Sequence, residues 1–263
     1  MELVRRGLSQ TRQHAATLID DGRVEVAGSP ASKPSRLVAP SEPIVVLGPP
    51  PRFVGRGGEK LDAALHRFGI DVRGRRAIDA GASTGGFTDA LLTHGADRVI
   101  AVDVGYGQLH HRLRTDARVD VQERTNIRHV TPADLGGPAA IVVADLSFIS
   151  LRTVAPALLA LAEPGGDLVL LVKPQFEAGR AEAGKGRGVV RDPTVWRRVL
   201  DEVVAAYQGL GASIMGCMVS PLRGADGNVE FLLHLVAGGG AVGAPADLDL
   251  DRHLDGVVAE AGG

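Results

Sequence analysis

Short apolar runs alternate with segments of helical character along most of this chain, and no other feature restricts its fold as much. Residues 76–80, 99–103, 141–146 and 168–173 are each dominated by aliphatic side chains. The segments that separate most of these runs have the spacing of helices. Continuous apolar strands that alternate with helices are typical of a parallel sheet buried on both faces. The sequence therefore predicts an α/β fold with a doubly wound sheet.

Three further runs complete the predicted sheet with seven strands: 119–123, 213–219 and 229–236. The last two are joined by a turn that contains Pro221 and Gly224 and not by a helix. A short connection of this kind joins antiparallel strands more readily than parallel ones. At least one of these two strands is therefore expected to be antiparallel.

The first 60 residues differ from the rest of the chain in charge. They carry nine Lys or Arg against six Asp or Glu, whereas the remaining residues carry 20 against 25. A small basic module attached to an acidic domain is typical of proteins that bind a polyanion. Three consecutive prolines at 49–51 predict a stiff linker between them. The predicted organisation is a small α/β domain over 1–48, a linker over 49–57, a sheet domain over 58–237 and a flexible tail over 238–263 with a short helix around 250–260.

Composition and segment lengths restrict the cellular setting. The single cysteine, Cys217, cannot form an internal disulfide, which fits a reducing cytoplasm. No apolar stretch approaches the roughly 20 residues that a membrane-spanning helix needs. The N-terminal residues lack the apolar core of a signal peptide. We therefore expect a cytoplasmic protein that does not enter a membrane.

The turn DAGASTGGF, residues 79–87, follows the first apolar strand of the larger domain. Its glycines are not spaced as in a dinucleotide site, and no lysine follows as in a phosphate-binding loop. Asp103 ends the next strand, where a carboxylate can accept hydrogen bonds from ribose hydroxyls. Asn126 follows the third strand and could contact an adenine edge, while Asp79 could bind an ammonium group. These features favour S-adenosylmethionine, and the predicted site consists of Asp79, Gly81, Ala82, Ser83, Thr84, Gly85, Gly86, Phe87, Asp103, Asn126 and Asp145.

Four charged residues are candidates for the chemistry. Asp145 and Lys173 end the fourth and fifth strands, Lys60 lies on the helix before the first strand, and Glu230 interrupts the last apolar run. A lysine can deprotonate an alcohol when a second cation and burial favour its neutral form. We therefore expect Lys173 to be the base, Lys60 the second cation, and Asp145 and Glu230 the orienting groups. The structural alternatives are that Lys173 only pairs with Asp145, and that the other two are ordinary surface charges.

The segment ADLSF, which contains Asp145, lacks the Asp/Asn-Pro-Pro-aromatic motif on which the methylation of base amines usually relies. A ribose hydroxyl is therefore favoured over an amine as the methyl acceptor. His110 and His111 are adjacent on a predicted helix, so their side chains diverge and make poor joint metal ligands. The sequence predicts no metal site.

Seven ordered motifs, RGGEKL, DAGASTGGF, DVGYGQL, ERTNIR, VVADLSFISL, LVKPQFE and GNVEFLL, resemble the TlyA family of ribosomal RNA 2′-O-methyltransferases. The resemblance extends from about residue 2 to residue 236. It implies a class I methyltransferase (Rossmann-like) sheet and S-adenosylmethionine as methyl donor. The implied substrates are cytidine ribose 2′-hydroxyls in small-subunit rRNA and, in many members, large-subunit rRNA. The resemblance also implies a link to susceptibility to capreomycin-type antibiotics.

The family's Lys-Asp-Lys-Glu tetrad falls on Lys60, Asp145, Lys173 and Glu230. The N-terminal residues resemble an S-four-type RNA-binding module, although this chain starts almost inside its first helix. The resemblance implies ribosomal RNA or ribosomal subunits as partners. Cations in such a module supply phosphate contacts that position RNA without reading its sequence. The candidate phosphate contacts are Arg5, Arg6, Arg12, Arg23 and Lys33, together with Arg180, Lys185 and Arg187 on a Gly-rich loop that could equally be a solvated mobile segment.

Two other functions stay open at this stage. Members of the family also carry the name hemolysin, which implies a pore-forming protein. A protein that binds the cofactor and the ribosome without chemistry, as an assembly factor, is the third hypothesis. The absence of an apolar spanning segment argues against a pore-forming protein. The intact tetrad argues against an assembly factor without chemistry.

Overall fold

The computed structural model describes residues 2–9, 12–48, 51–179, 188–224, 227–238 and 248–263. The chain forms two compact units, Met1–Pro51 and Arg52–Gly263. The division between them falls within the segment that the sequence predicts as a linker. The described helices are all too short or too polar to cross a lipid bilayer.

The small unit contains two helices and a three-stranded antiparallel sheet. The helices are α1 (Glu2–Arg5) and α2 (Arg12–Asp20), and the strands are β1 (Val24–Val26), β2 (Ser29–Pro30) and β3 (Ile44–Val46). The strand order is β2-β1-β3. Leu3, Leu18 and Val24 are among the residues of its apolar core. The first helix ends before Gly7, which takes a left-handed backbone conformation with φ 70°.

The larger unit is built on a seven-stranded sheet. Its strands are β4 (Arg76–Ala80), β5 (Arg98–Val102), β6 (Val119–Gln122), β7 (Ala139–Ala144), β8 (Ala162–Val172), β9 (Ser213–Val219) and β10 (Phe231–Val236). Its helices are α3 (Gly57–Phe68), α4 (Gly86–Thr93), α5 (His111–Arg114), α6 (Leu151–Leu161), α7 (Pro174–Glu177), α8 (Pro193–Gln208) and α9 (Leu250–Gly262), with 3₁₀ turns at Ile127–His129 and Pro132–Leu135. The strand order is β6-β5-β4-β7-β8-β10-β9.

Strand direction and order determine where a ligand can bind. The five strands from β4 to β8 run parallel, and β10 is antiparallel to both β8 and β9, as the short connection in the sequence predicts. The chain leaves β4 first toward β5 and later returns to β7 on the other side of β4. This reversal is the point at which doubly wound sheets open a crevice beyond the carboxyl ends of their strands. The crevice therefore lies where β4 and β7 end.

Alternating side chains of the strands fill two apolar layers, one on each face of the sheet. Leu168 and Leu170 of β8 belong to the layer that includes α6 and α8, whereas Val169 and Leu171 belong to the layer that includes α3 and α4. This period of two is the pattern of a strand that is covered on both faces. The rigid sheet thus fixes the positions of the side chains at its edge.

The last helix differs from the prediction of a flexible tail over 238–263. Helix α9 packs against β9 and α8. Its side chains at Leu254, Val257, Val258 and Ala261 are buried in the core. Their spacing is that of one apolar face of a helix, which is stable when it is packed against a domain. The prediction of flexibility was therefore wrong for residues 250–262, and residues 239–247 lie outside the described part.

Candidate active site

A cavity of about 510 Å³ opens at the carboxyl ends of β4, β5 and β7. Five of the predicted cofactor residues line it: Gly81, Ser83, Asp103, Asn126 and Asp145. The switch point of the sheet therefore does contain a cavity, and it gathers residues that are up to 64 positions apart in the chain.

Asp103 is held in place by two backbone amides. Its Oδ2 accepts a hydrogen bond from the N–H of Ser83 at 2.8 Å, and its Oδ1 accepts one from the N–H of Gly105 at 2.6 Å. A Cβ at position 105 would lie 2.9 Å from Oδ1, so glycine permits this close approach. Each carboxylate oxygen has a second lone pair. Asp103 can therefore accept hydrogen bonds from a diol in the cavity.

Asn126 has a structural role in addition to its place in the cavity. It caps the 3₁₀ turn Ile127–His129, and its Oδ1 accepts a hydrogen bond from the N–H of Arg128 at 3.1 Å. Asparagine commonly occupies such a cap. The cap fixes the orientation of the side-chain amide, whose two N–H donors are not used by this bond.

The glycines of the turn after β4 make room for the chain itself. A Cβ at Gly81 would lie 2.6 Å from the carbonyl oxygen of Asp145, and one at Gly86 would lie 2.9 Å from the nitrogen of Gly58. Gly85, with φ 99°, would place a Cβ 2.2 Å from a side-chain carbon of Leu113. These glycines therefore permit close packing within the protein. The other six predicted cofactor residues do not line the cavity: Asp79, Ala82, Thr84, Gly85, Gly86 and Phe87.

Asp79 is completely buried beneath this turn. Its Oδ2 accepts a hydrogen bond from the hydroxyl of Thr88 at 2.6 Å. Within the described part of the chain, Oδ1 has no hydrogen-bond partner. Burial, reinforced by the charges of Asp145 and Asp103 and opposed by the Thr88 hydrogen bond, raises the pKa of Asp79 to about 7. A buried carboxylate oxygen without a partner is costly, so this site suits a ligand that brings a cation or a donor.

The four candidate catalytic residues form two ion pairs. Lys173 Nζ lies 2.6 Å from Asp145 Oδ1, and Lys60 Nζ pairs with Glu230 Oε2. The side chains of Lys60, Lys173 and Glu230 are mostly buried, and that of Asp145 is a quarter exposed. Removing one partner of a buried pair leaves an uncompensated charge. Lys173 does pair with Asp145, as a purely structural interpretation of Lys173 predicts. Asp145 also lines the cavity.

Register and packing bring the two pairs to the same edge of the sheet. Phe231 of β10 pairs with Val172 of β8, so Glu230 and Lys173 occupy the next position along this antiparallel ladder. A Cβ at Gly57, in the first turn of α3, would lie 3.7 Å from Asp145 Oδ2. The first turn of α3, which also carries Lys60, therefore packs against the carboxylate that pairs with Lys173. Both pairs therefore lie at this edge of the sheet, and Asp145 connects one of them to the cavity.

Comparison with known proteins identifies the group to which this arrangement belongs. A model described as FtsJ-like methyltransferase matches residues 53–237, and a model described as S4 domain matches residues 2–44. This chain belongs to the FtsJ-like methyltransferase family. The family match covers the sheet and all four paired residues, and the S4 match falls within the small unit.

Relatives of this FtsJ-like chain carry two kinds of name. It is 52% identical to the 16S/23S rRNA (cytidine-2′-O)-methyltransferase TlyA of Mycobacterium tuberculosis, with 89% of this chain and 87% of the relative covered. It is 36% identical to Hemolysin A of Brachyspira hyodysenteriae, with 88% and 95% covered. A solved structure of a hemolysin-named protein from Streptococcus thermophilus matches with a TM-score of 0.80 at 39% identity, covering 98% of this chain and 93% of that chain. The resemblance and the predicted class of fold are confirmed.

Three residues beside the candidate catalytic residues were not predicted from the sequence: Ser147, Phe148 and Phe176. Ser147 lines the cavity, and its hydroxyl accepts a hydrogen bond from Lys173 Nζ at 3.1 Å. Phe148 has a left-handed backbone with φ 64°, and 92% of its surface is exposed. Its ring centroid lies 5.1 Å from that of Phe176. Strained backbone and an exposed aromatic ring together indicate a functional position. Ser147 and Phe148 follow Asp145 within three residues, and Phe176 follows Lys173 within three. This closeness to the candidate catalytic residues is the signal that could have found them.

The predicted phosphate contacts of the small unit fall into two groups. Arg12 and Lys33 are exposed, as phosphate contacts must be. Arg6 donates hydrogen bonds to the backbone carbonyls of Ala39, Pro40 and Glu42. Arg6 therefore holds the loop before β3 in place, which is a structural task.

Two further arginines of the small unit are also engaged within it. Arg5 forms an exposed ion pair with Glu2 at 2.6 Å. The Nε of Arg23 donates to the carbonyl of Leu47 at 2.9 Å. Arg180, Lys185 and Arg187, the predicted contacts on the Gly-rich loop, lie outside the described residues.

One group in the described part of the chain has the composition of a metal site. Ligand atoms of Asp62, His66 and His94 lie within 4.8 Å of one another. Asp62 is already engaged, because Arg52 donates to its Oδ2 at 2.6 Å and His94 Nε2 lies 2.7 Å from its Oδ1. An ion-pair network accounts for this group, and the guanidinium would repel a metal ion. His110, one of the two histidines weighed as ligands from the sequence, accepts a hydrogen bond from the N–H of Arg112.

Proposed function

We propose that this protein transfers a methyl group from S-adenosylmethionine to cytidine ribose 2′-hydroxyls of ribosomal RNA. The observation that carries the proposal is that two lysine–carboxylate pairs lie at one edge of a doubly wound sheet, and that Asp145 of one pair lines the cavity there. A base and a second cation beside a cofactor cavity suit the methylation of a weakly acidic hydroxyl.

Two residues that line the cavity, and one that is buried beneath the turn after β4, suit the polar groups of S-adenosylmethionine. Asp103 would bind the two ribose hydroxyls, and Asn126 would contact the adenine edge. Asp79, whose Oδ1 has no partner among the described residues, would bind the ammonium group directly or through water. The bound cofactor supplies an electrophilic methyl group on a positively charged sulfur. The residues of the turn that do not line the cavity hold its backbone in place.

Lys173 is the proposed base for the acceptor hydroxyl. Its Nζ would take the proton of the 2′-hydroxyl as the oxygen attacks the methyl group. Asp145 and Ser147 fix the position of Nζ through contacts at 2.6 and 3.1 Å. Lys60 would provide a second positive charge at this edge of the sheet, and Glu230 holds Lys60 in place.

Three observations support an RNA acceptor. The small unit matches an S4 domain, and the relative at 52% identity is named as an enzyme that acts on 16S and 23S rRNA. The exposed ring of Phe148 offers a surface on which a nucleobase can stack beside the tetrad. We propose the small ribosomal subunit as substrate, with the large subunit as a second one, in the cytoplasm. The family resemblance further leads us to expect an effect on susceptibility to capreomycin-type antibiotics.

The test is transfer of a labelled methyl group from S-adenosylmethionine to each purified ribosomal subunit and to free rRNA. We expect transfer by the wild-type protein, followed by mapping of the label to a cytidine ribose. Lys173→Ala should lose transfer but keep cofactor binding, as measured by calorimetry. Asp120→Asn, which removes an exposed partner of Arg98 elsewhere on the sheet, is the control and should keep full activity.

Failure of the wild-type protein to label either subunit or free rRNA would overturn the proposal. Binding of subunits and cofactor without transfer would instead favour a ribosome assembly factor. Leakage of liposomes at low protein concentration, unchanged in Lys173→Ala, would favour a pore-forming protein.

A further inference from the structure

Two short segments contact each other at several points beside the cavity. The first is the loop of residues 145–150, between β7 and α6, and the second is the segment of residues 173–177, which contains Lys173 and α7. At one end Lys173 contacts Asp145 and Ser147 at 2.6 and 3.1 Å. In the middle the rings of Phe148 and Phe176 lie 5.1 Å apart. The loop that lines the cavity is thus bound at several points to the segment that carries the base.

Glu177 makes the contact at the other end. Its Oε1 accepts a hydrogen bond from the N–H of Leu151 at 2.6 Å, and its Oε2 accepts one from the hydroxyl of Ser150 at 2.5 Å. Its backbone carbonyl accepts a hydrogen bond from the guanidinium of Arg152 at 2.9 Å. These three partners are the cap and the first two residues of α6. Glu177 therefore joins the end of the loop to the end of α7.

The cost of this arrangement indicates that it serves a purpose. Glu177 is only 3% exposed. Burial raises the pKa of its carboxyl above the usual value, and the hydrogen bonds from Ser150 and Leu151 and the charge of Arg152 oppose that increase. Ser150 already caps the helix, since its hydroxyl accepts from the N–H of Arg152 at 3.2 Å. A buried carboxylate adds a connection between segments that the helix cap alone does not provide.

We propose that Glu177 is a positioning residue, which fixes the 145–150 loop against the 173–177 segment and thereby sets the distance between Lys173 and its partners. This inference rests on the proposed function of Lys173 as the base. Glu177 does not line the cavity and acts only through the loop and α7. A displacement of about 1 Å in a reacting group can cost on the order of a hundredfold in rate. Loss of Glu177 should therefore reduce turnover more than it reduces cofactor affinity.

The experiment compares Glu177→Ala, Glu177→Gln and Ser150→Ala with the wild-type protein. In Glu177→Ala we expect kcat for methyl transfer to fall on the order of tenfold to a hundredfold, with a few-fold change at most in cofactor affinity. The pH profile of kcat should shift, because the surroundings of the base change. Glu177→Gln keeps an acceptor for the N–H of Leu151 and should recover part of the rate. Ser150→Ala removes one donor to Glu177 and should be intermediate.

Glu202→Gln is the matched control. Glu202 on α8 also pairs with Arg152, at 2.6 Å, but it has no contact with the 145–150 loop among those the structure describes. This variant should change neither kcat nor its pH profile. Hydrogen exchange of residues 145–151 provides a readout that does not depend on activity. We expect faster exchange there in Glu177→Ala and wild-type protection in Glu202→Gln.

The outcomes separate this inference from the proposed function. Unchanged kcat and pH profile in Glu177→Ala, together with faster exchange at Leu151, would overturn the positioning role. Unchanged exchange across residues 145–151 would overturn it as well, even in a wild-type protein that transfers no methyl group. An active Lys173→Ala variant would contradict the role of Lys173 as the base and with it the catalytic part of this inference, whereas hydrogen exchange would still show whether Glu177 fixes the 145–150 loop. If Glu177→Ala does not fold, the comparison of Glu177→Gln with Ser150→Ala still decides between the outcomes.

Discussion

The two units of this protein use their charged residues in different ways. In the larger unit, the lysines and carboxylates at the edge of the sheet are mostly buried and pair with one another across long distances in sequence. In the small unit, Arg5 pairs with Glu2 three residues away, and Arg6 binds backbone carbonyls of its own unit. Arg12 and Lys33 remain exposed. A charge at a strand end in a rigid sheet has a defined place, whereas a charge on a small surface unit can serve either folding or binding.

Burial and pairing together therefore indicate a catalytic role more clearly than charge alone does. A buried ion pair costs desolvation free energy that well-packed apolar residues would not. An exposed pair contributes little and can be exchanged easily. The buried pairs of the larger unit are thus better evidence for function than the basic character of the small unit.

The largest predicted effect concerns the pair of Lys60 and Glu230, and it tests whether buried pairs serve the reaction. Lys60→Met leaves Glu230 buried without its partner, so the free energy of unfolding should fall by about 3–5 kcal/mol. The double variant Lys60→Met/Glu230→Gln should recover most of this stability. Methyl transfer should fall by about 10²- to 10⁴-fold in both. Urea unfolding and labelled transfer measure the two effects separately.

Arg5→Met is the corresponding change in the small unit. It removes the exposed pair with Glu2, and it should leave the urea midpoint and the transfer rate almost unchanged. A stable and fully active double variant at Lys60 and Glu230 would show that the buried pair of the larger unit is structural, and the contrast between the units would then fail.

Removal of residues 1–48 tests whether the small unit serves RNA and not the cofactor. Without its phosphate contacts, affinity for ribosomal RNA should fall by about 10- to 100-fold at physiological salt, with a weaker dependence on salt concentration. Cofactor affinity should change far less, since all the described residues that line the cavity belong to the larger unit. Filter binding with rRNA and calorimetry with S-adenosylmethionine measure the two affinities. Equal losses of both would contradict a division of labour.

The sequence predicted the parts of this molecule that depend on strand ends. Asp145 and Lys173 could be placed at one edge because parallel strands end at the same side of a sheet. Lys60 and Glu230 could be added because their motifs interrupt apolar or glycine-rich segments. Their distribution into two pairs depends on the register of β10 against β8, with Phe231 opposite Val172, which periodicity alone does not determine.

The remaining features depend on tertiary contacts that no local pattern contains. Glu177 closes the 145–150 loop only because α7 folds back onto the start of α6. Gly85 accommodates Leu113, which belongs to a different helix. The helix around 250–260 was expected from the sequence. Its packing against β9 was not, because the segment follows a glycine- and alanine-rich run that indicates a flexible tail. Side-chain roles that arise from packing are thus the part that sequence reasoning misses.

The buried carboxylate of Asp79 should make cofactor affinity depend on pH. Its pKa is raised from 3.8 to about 7, so the neutral form contributes stability that is present below pH 4 and is lost as the pH rises through 7. Binding of an ammonium group requires the charged form. Affinity for S-adenosylmethionine should therefore rise by up to about tenfold between pH 6 and 7, with release of a proton on binding. Calorimetry in buffers of different ionisation enthalpy measures both quantities.

Asp79→Asn removes the titrating group and provides the control. Its affinity should be weaker at pH 7 and nearly constant from pH 6 to 7. Above pH 8 the ligand's own amine loses its proton, so wild-type affinity should fall again. If the wild-type and Asp79→Asn proteins bind with the same affinity at every pH, Asp79 does not contact the ammonium group.

The smallest predicted effects distinguish an arginine that binds RNA from one that stabilises the small unit. Arg12→Ala removes an exposed charge from α2, so affinity for rRNA should fall a few-fold and the salt slope should decrease by about 1, with unchanged stability.

Arg6→Ala removes several hydrogen bonds to the carbonyls of residues 39–42, so the small unit should lose about 1–3 kcal/mol of stability. At a temperature where Arg6→Ala is folded, its salt slope should match that of the wild-type protein. A decrease of the salt slope in Arg6→Ala equal to that in Arg12→Ala would mean that Arg6 releases its carbonyls to bind RNA. In that case the small unit would use a single arginine for both folding and binding, and the distinction between buried and exposed charges would apply only to the free protein.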